Sequence, residues 1–315
     1  MRILDQDGTV VAADDRVLLS EHEAAPTSRW PVGLSARNYH FLSLPVGTPP
    51  LTYSVAVSVY HDQKALDILN EAGAAMGTVK VLGSVQVLPP ATYPDHFPSS
   101  MPMVRIGREV APGLILEGFD LGKEKVRAGE ALPVTLYWKA QTAPLQPYQP
   151  LLLLRGAAGG VLGEQRGHPA SGRYPCSRWR KGELVTDRRV LLVAPEAASG
   201  LSQLALQVGD GVAVTLGSVT IEQADRQYAF ANIQHPLDVT LGGVARLVGY
   251  ELEEQTVRFG EPLRLTLYWQ AVNDAPMAAS YTVFAHLLDP QEHVIAQHDG
   301  TPAGGAWPTT AWVRG

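Results

Sequence analysis

The sequence predicts an all-β chain of tandem antiparallel β-sandwiches, and three observations lead to this fold class. Short runs of alternating apolar and polar residues recur along the chain, as in half-buried strands. Turn residues separate these runs, since 24 Pro and 30 Gly are spread over the 315 residues. One long phrase also recurs at an interval the size of a whole domain. Many short strands in a domain-sized repeat are typical of tandem, immunoglobulin-like sandwiches.

The repeat is clearest where Leu116–Trp138 aligns without a gap on Leu247–Trp269, at an offset of 247 − 116 = 131 residues. A second landmark is a Pro-rich phrase around a tryptophan, which occurs three times, as PTSRWPVG from Pro26, PCSRWRKG from Pro175 and PTTAWVRG from Pro308. A third is LGSV, which begins at Leu82 and again at Leu216. Spacings of this size indicate repeated domains rather than the short units of a solenoid.

The order of these landmarks predicts three repeats, of which only the middle one is complete. Residues 91–224 contain every landmark in order and form the middle repeat. Residues 1–90, the first repeat, begin at RILDQDGTVVA, the counterpart of HLLDPQEHVIA at His286–Ala296, and supply the back part of a sandwich. Residues 225–315, the third repeat, supply the front part. We therefore expect the first and last sandwiches to be incomplete and the chain to be a fragment.

Period-two alternation assigns the strands in chain order. In Arg264–Trp269, for example, Leu265, Leu267 and Trp269 share one face. The phrases VRAGE and VRFGE supply the turns before two such strands. The stretch Asp62–Gly77 has some helical spacing but is interpreted as a long connection with at most one helical turn. Further strands are predicted at Tyr39–Pro45, Tyr53–Tyr60, Val79–Val87, Tyr281–Asp289 and His293–Gly300.

Composition excludes several classes of protein. A hydrophobic content of 45% with 18% charged residues is not that of a disordered chain. The formal charge of −6 argues against nucleic-acid binding, which needs a basic surface. A basic stretch does run from Arg166 to Arg189, but its interleaved acids favour a solvated face over an anion site. No apolar run reaches the ~18 residues of a membrane span, and the N-terminus does not resemble a signal peptide.

For each residue group that could bind a metal or act in catalysis, the sequence favours a purely structural role. DQDG at Asp5–Gly8 could begin a calcium loop, but Asp-Gly between two strands is an ordinary hairpin turn. His286, His293 and His298 with Asp299 match no familiar ligand spacing, which favours exposed strand histidines. Cys176 stands where the other tryptophan phrases have Thr27 and Thr309, which favours a small filler over a nucleophile. The sequence therefore predicts no metal site, no cofactor and no catalytic residue.

Tryptophans are the better candidates for binding. Trp138 and Trp269 lie on the apolar side of their strands and are predicted core residues. Trp30, Trp179 and Trp312 lie in Pro- and Gly-flanked phrases, where each indole is either a platform for a sugar ring or a lid over the end of a sandwich. Both alternatives remain open at this point.

The phrases from Arg246 to Ala271, from Tyr281 to Gly305 and at the Trp312 phrase, with GELVTD at Gly182–Asp187, resemble β-sandwich modules of bacterial glycosyltransferases. In these enzymes, related to protein O-mannosyltransferases, the modules follow the membrane-embedded part. The resemblance implies an extracytoplasmic location, and it implies no catalytic residue here, because the catalytic acids lie in the membrane portion.

These considerations lead to two alternative functions. The first is a non-catalytic array of extracytoplasmic sandwich modules in a larger cell-envelope protein, which serves as a spacer or contacts glycans. The second is a soluble accessory region of a glycosyltransferase of the protein-O-mannosyltransferase-like type, with the membrane domain of that protein as its partner.

Overall fold

The computed structural model describes residues 1–19, 26–62, 64–71, 73, 75–223, 229–258, 261–273, 277, 279–305 and 308–314. This part of the chain is nearly all β, and its antiparallel sheets are those of tandem β-sandwich domains. In the first repeat the strands are β1 (Arg2–Leu4), β2 (Val10–Ala13), β3 (Thr52–Val57), β4 (Tyr60–His61), β5 (Lys64–Ala65) and β6 (Lys80–Gln86).

The middle repeat contains nine strands within the described residues. Three of them, β8, β9 and β10, carry the first copy of the phrase that identified the repeat. The strands are β7 (Val104–Ala111), β8 (Leu114–Leu121), β9 (Lys125–Arg127), β10 (Ala131–Ala140), β11 (Leu151–Arg155), β12 (Val161–Arg166), β13 (Leu184–Leu192), β14 (Gly200–Gln207) and β15 (Val214–Glu222).

The described residues of the third repeat form five strands. They are β16 (His235–Leu241), β17 (Ala245–Leu252), β18 (Leu265–Ala271), β19 (Val283–Leu288) and β20 (Val294–Gly300). Short 3₁₀ turns complete the three tryptophan phrases, at Thr27–Arg29, Cys176–Arg178 and Thr309–Ala311.

Sheet order shows that the three repeats share one topology. The middle repeat has one sheet ordered β13-β10-β8-β7 and another ordered β12-β11-β14-β15-β9, in which β9 joins β15 in parallel. The first repeat reproduces most of the second sheet as β2-β1-β3-β6. The third repeat reproduces part of the first sheet as β16-β17-β18 and part of the second as the hairpin β19-β20.

The shared topology extends to single residues in the hairpins. In all three, the register shifts just before the last pair, which is Leu4 with Val10, Arg155 with Val161, and Leu288 with Val294. Each turn spans five residues, and its first N–H donates to the C=O of its fifth residue, at 3.0, 3.0 and 2.9 Å. The DQDG stretch is therefore one of three equivalent hairpin turns.

One predicted strand is wrong. Tyr39–Pro45 is not a strand, although its counterpart in the middle repeat lies in β13, which is the neighbour of β10. The described residues of the first repeat contain no counterpart of β10. A strand needs a partner for its backbone hydrogen bonds, so the same alternating pattern forms no strand here.

The connection between β3 and β6 contains short pairings instead of a helical turn in its described residues. Tyr60–His61 pairs with Lys64–Ala65, and an isolated bridge joins Leu69 and Ala75. Gln63, Ala72 and Ala74 of the predicted connection Asp62–Gly77 lie outside the described residues.

The chain divides into two compact units that do not follow the three repeats. One unit comprises Met1–Phe119, Leu136–Tyr148 and His168–Asp187, and the other comprises Asp120–Thr135, Gln149–Gly167 and Arg188–Gly315. The whole first repeat lies in one unit and the whole third repeat in the other. The repeat boundaries at residues 90/91 and 224/225 stay a prediction.

Candidate functional site

The apolar face of β18, which we call the inner face of the third repeat, is more exposed than its counterpart on β10. On β10, the side chains of Val134, Leu136 and Trp138 are fully buried. Their counterparts on β18, at the offset of 131, are Leu265, Leu267 and Trp269. Leu265 is 42% exposed, and the other two are only half-buried. The same strand sequence is therefore core in one repeat and partly open in the other.

The open inner face of the third repeat is one side of a cleft of about 1420 Å³. β18 and the hairpin β19-β20 both line this open cleft, and Trp312 lies at its lining as well. The lining side chains are mainly aliphatic and aromatic, and they include Leu265, Leu267, Trp269, Val283, Leu287 and Ile233. A concave apolar surface of this kind is suited to binding.

Strand edges flank the open cleft. Within the described residues, β18 pairs with β17 alone and β19 pairs with β20 alone. Their counterparts in the middle repeat have a second neighbour each, β13 beside β10 and β14 beside β11. The open cleft therefore combines an apolar face with backbone N–H and C=O groups that can accept a further strand.

The three tryptophan phrases have the same backbone. In each, the tryptophan N–H donates to the C=O three residues earlier, at Thr27, Cys176 and Thr309, over 3.0 to 3.1 Å. Trp179 is only 2% exposed; its Nε1–H donates to Tyr174 O at 3.1 Å, and its ring stacks on that of Tyr174. No face of Trp179 is open to a sugar ring in this structure. Trp30 and Trp312 are half-buried, and for them the platform stays a prediction.

Cys176 and Thr309 occupy equivalent places in this turn. The Thr309 hydroxyl donates to Ala279 O at 3.1 Å, and the Cys176 thiol points at Tyr148 O, the corresponding carbonyl, at 4.0 Å. Cys176 is fully buried. The thiol thus stands in the position of a threonine hydroxyl.

Two buried carboxyl groups of the middle repeat, those of Asp187 and Glu183, accept hydrogen bonds from neutral donors. Asp187 accepts from Trp138 Nε1–H at 3.3 Å and from Ala170 N–H at 3.0 Å. Glu183 accepts from Tyr174 O–H at 2.6 Å and from Arg180 N–H at 2.8 Å. Burial, and then the Glu183 carboxylate, raise the pKa of Tyr174 above its ordinary value, so the phenol stays a proton donor. These carboxylates therefore fix the tryptophan phrase and strand β10.

The basic side chains between Arg166 and Arg189 make separate contacts within the protein. Arg189 is buried and donates to Pro150 O, Gly167 O and Gln165 Oε1 at 2.7 to 3.0 Å. Arg173 pairs with Asp7, and the Arg178 guanidinium lies 5.5 Å from the centre of the Tyr174 ring. The structure thus assigns three of these cations to contacts within the protein.

The acidic and histidine candidates also take part in local structure. Asp5 Oδ1 accepts from Asp7 N–H and Thr9 N–H at 2.9 Å, and Asp289 Oδ1 accepts in the same way from Gln291 and His293 at 2.9 and 2.8 Å. His298 pairs across the hairpin with Ala285, and His286 with Gln297, which places the two imidazoles on opposite faces. In the part of the chain that the structure describes, no group of three or more acidic, His or Cys side chains could hold a metal ion.

The sequence predicted an incomplete last sandwich but did not indicate which apolar side chains would be exposed. Leu287, on β19, is 41% exposed, whereas its counterpart Leu154 on β11 is fully buried. The structure establishes this equivalence, because the identical register shift of the two hairpins places Leu287 and Leu154 at the same position.

Among the described residues, no helix is both long and apolar enough to cross a membrane.

Comparisons with known proteins give no family. No protein-family model matches the chain, and no curated protein does. Solved structures similar to it include an alkylpurine DNA glycosylase of Pseudomonas fluorescens bound to abasic-site DNA, at 12% identity and a TM-score of 0.26 over 36% of this chain and 31% of that one. Another is the native Escherichia coli alpha-2-macroglobulin, at 14% identity and a TM-score of 0.24 over 75% of this chain and 15% of that one. At these TM-scores neither likeness informs the fold or the function.

Proposed function

We propose that this chain is a non-catalytic array of β-sandwich modules that serves as an extracytoplasmic spacer. The observation that carries the proposal is the close backbone contact between neighbouring repeats. Thr186, in the middle repeat, donates its N–H to Gly47 O at 2.7 Å and its hydroxyl to Val46 O at 3.0 Å. Contacts through the backbone leave little freedom at a junction, which is what a spacer needs.

A second junction is equally close. Ala311, in the third repeat, packs against Gly129 of the middle repeat, where an added Cβ would lie 2.3 Å from Ala311 Cα. The Thr310 hydroxyl donates to Gly129 O at 3.3 Å. The extracytoplasmic placement rests on the resemblance of the sequence to glycosyltransferase-associated modules, as does the alternative of an accessory region of such an enzyme.

The spacer proposal is tested by a distance measurement across the first junction. Spin labels at Val17→Cys and Met103→Cys, both strongly exposed, in a Cys176→Thr background report the separation of the first and middle repeats. We expect one narrow distance distribution in the otherwise unaltered chain. A distribution spread over several nanometres would contradict a spacer.

Two glycine variants, one at the junction and one away from it, test whether the narrow distance distribution depends on the junction. Gly47 has φ +82°, and a Cβ there would lie 2.7 Å from Thr186 Oγ1 and 2.8 Å from Phe97 Cε1. Gly33 has φ +84° but no neighbour within 4 Å of the added Cβ. Both variants carry the same backbone strain. Gly47→Val should broaden the distribution, and Gly33→Val should leave it narrow.

Contact with glycans is the finer part of the proposal. Retention of the chain on immobilised glycans should fall in Trp30→Ala and Trp312→Ala if these indoles are platforms, with an exposed apolar site such as Leu201→Ala as control. If the unaltered chain binds no immobilised glycan, glycan contact is excluded and only the spacer role remains proposed.

A further inference from the structure

The middle repeat shows which strands cover the face that corresponds to the open cleft of the third repeat. The middle repeat contains counterparts of all five strands of the third repeat and, in addition, β9, β13, β14 and β15. Its inner face is buried, whereas that of the third repeat is partly exposed. What the third repeat lacks, within its described residues, is therefore a set of strands of known pattern.

The first repeat contains two of these strands. β3 and β6 pair with the same register shift as β14 and β15, so that Val55 opposite Gly83 corresponds to Leu204 opposite Gly217. In sequence, LGSV begins both at Leu82 in β6 and at Leu216 in β15. The first repeat thus carries the pair of strands that the open cleft lacks.

The side chains on this pair are exposed where their counterparts are core. Leu82 and Val85 are 56% and 40% exposed, whereas Leu216 and Val219 are buried. All seven residues of β6 are exposed. Two apolar surfaces that are both uncovered, and that belong to complementary parts of one sandwich, are suited to bury each other.

We propose that the open cleft binds β3 and β6 of a second copy of this chain. In the hybrid sandwich, β3 of one copy pairs with β19 of the other, as β14 pairs with β11, and places Val55 opposite Leu287. β6 then lies outside β3, and Leu82 and Val85 turn towards Leu267 and Trp269. This proposal does not depend on the spacer role.

Seating β3 beside β19 requires it to leave β1. That pairing is short, because it joins only Arg2–Leu4 to Ser54–Ala56. The hydrogen bonds that break are replaced by bonds of the same kind between copies, and the contacts of Tyr53 with Ile3 and Val11 that are lost are offset by burial of β3 and β6 in the cleft. A small molecule is the poorer occupant, because the cleft exceeds the ~300–1,000 Å³ of typical ligand pockets.

The contact joins different surfaces of the two copies, so it is heterologous. When two copies are joined by one such contact, one copy keeps a free cleft and the other keeps a free donor pair, so association continues beyond a dimer into open chains. The proposal therefore specifies the kind of assembly as well as the surface.

Two single substitutions test this. Leu82→Glu blocks the donor strands, and Leu287→Glu blocks the cleft, and both positions are exposed in the isolated chain, so the fold is retained. Val17→Glu and Leu241→Glu place the same charge at exposed sites of the first and third repeats, away from both surfaces, and serve as controls. Sedimentation velocity over a concentration series gives the mass of each species, with circular dichroism as the check on folding.

We expect the unaltered chain and both controls to form species larger than dimers as concentration rises. Each blocked variant alone should sediment as a monomer. An equimolar mixture of the two should form a dimer and nothing larger, because only one intact cleft and one intact donor pair meet. The proposal is overturned if the unaltered chain stays monomeric, if either blocked variant assembles as the controls do, or if the mixture stays monomeric.

Discussion

At the scale of single residues, Trp138 and Trp269 show how one sequence position acquires two environments. Both follow the sequence Thr-Leu-Tyr on equivalent strands, and alternation places both on the apolar face. Trp138 is fully buried and donates to Asp187, whereas Trp269 lines the open cleft. The face could be predicted from the sequence, but the degree of burial depends on strands that are remote in the chain.

Substitution of these two residues should have unequal effects on stability. Trp138→Ala removes a fully buried side chain and the indole donor to Asp187, at a cost of about 3–5 kcal/mol in the free energy of unfolding. Trp269→Ala should cost clearly less, because part of its surface is already in water. Urea unfolding followed by circular dichroism measures both, and Trp138→Phe, which keeps most of the volume, should fall between. Equal losses for the two alanine variants would contradict the difference in burial.

Cys176 and Trp179 mark what local sequence can and cannot reveal about a side chain. The small-filler interpretation of Cys176 could be reached from Thr27 and Thr309 alone, since they share its slot. The burial of Trp179 could not be predicted from the sequence, because it depends on Tyr174 and Glu183, which lie outside the residues that the three tryptophan phrases share. The first repeat has Leu34 where the middle repeat has Glu183.

At the scale of elements, alternation predicts where a strand can form, and pairing decides whether it does. Most of the predicted strands exist, including Arg264–Trp269 and Val79–Val87, in which the described strands are β18 and β6. Tyr39–Pro45 has the same pattern and remains unpaired. The hydrogen-bond partner of a strand is a property of the topology, which no single stretch of sequence contains.

The hairpin β19-β20 should respond to pH through Asp289. The N–H of His293, and then the His293 ring and Gln291 N–H, outweigh burial and lower the pKa of Asp289 below its ordinary value of 3.8. A lowered pKa contributes stability that is fully present above 3.8 and is lost as the pH falls through the pKa in the folded state. We expect the His293 amide resonance to move over that range as the turn loosens.

Two variants of Asp289 check the cause. Asp289→Asn keeps an oxygen acceptor that does not titrate, so the His293 amide should hold its position to low pH. Asp289→Ala removes the acceptor, and the turn should be loosened at every pH. A transition that persists unchanged in Asp289→Asn would show that another group is responsible.

At the scale of the whole molecule, the sheet order of the middle repeat recurs in part among the described residues of the first and third repeats. The recurring landmarks predicted most of the strands that the structure describes, but not the absence of a strand at Tyr39–Pro45. They were not enough to predict the junctions at Gly47 and Gly129, because close approach of two backbones leaves no periodic signal. The central claim is that, among the residues that the structure describes, the inner face of the third repeat is partly open where that of the middle repeat is buried.

Hydrogen exchange with mass spectrometry tests this claim most directly, by comparison of β10 with β18. The measurement is made on Leu82→Glu, so that no second copy covers the cleft. Several hundred Å² of uncovered apolar surface lowers local stability by several kcal/mol, at roughly 25 cal/mol/Å². We therefore predict that amides of Ala131–Ala140 exchange about two orders of magnitude more slowly than those of Leu265–Ala271. Equal protection of the two strands would contradict an open inner face in the third repeat.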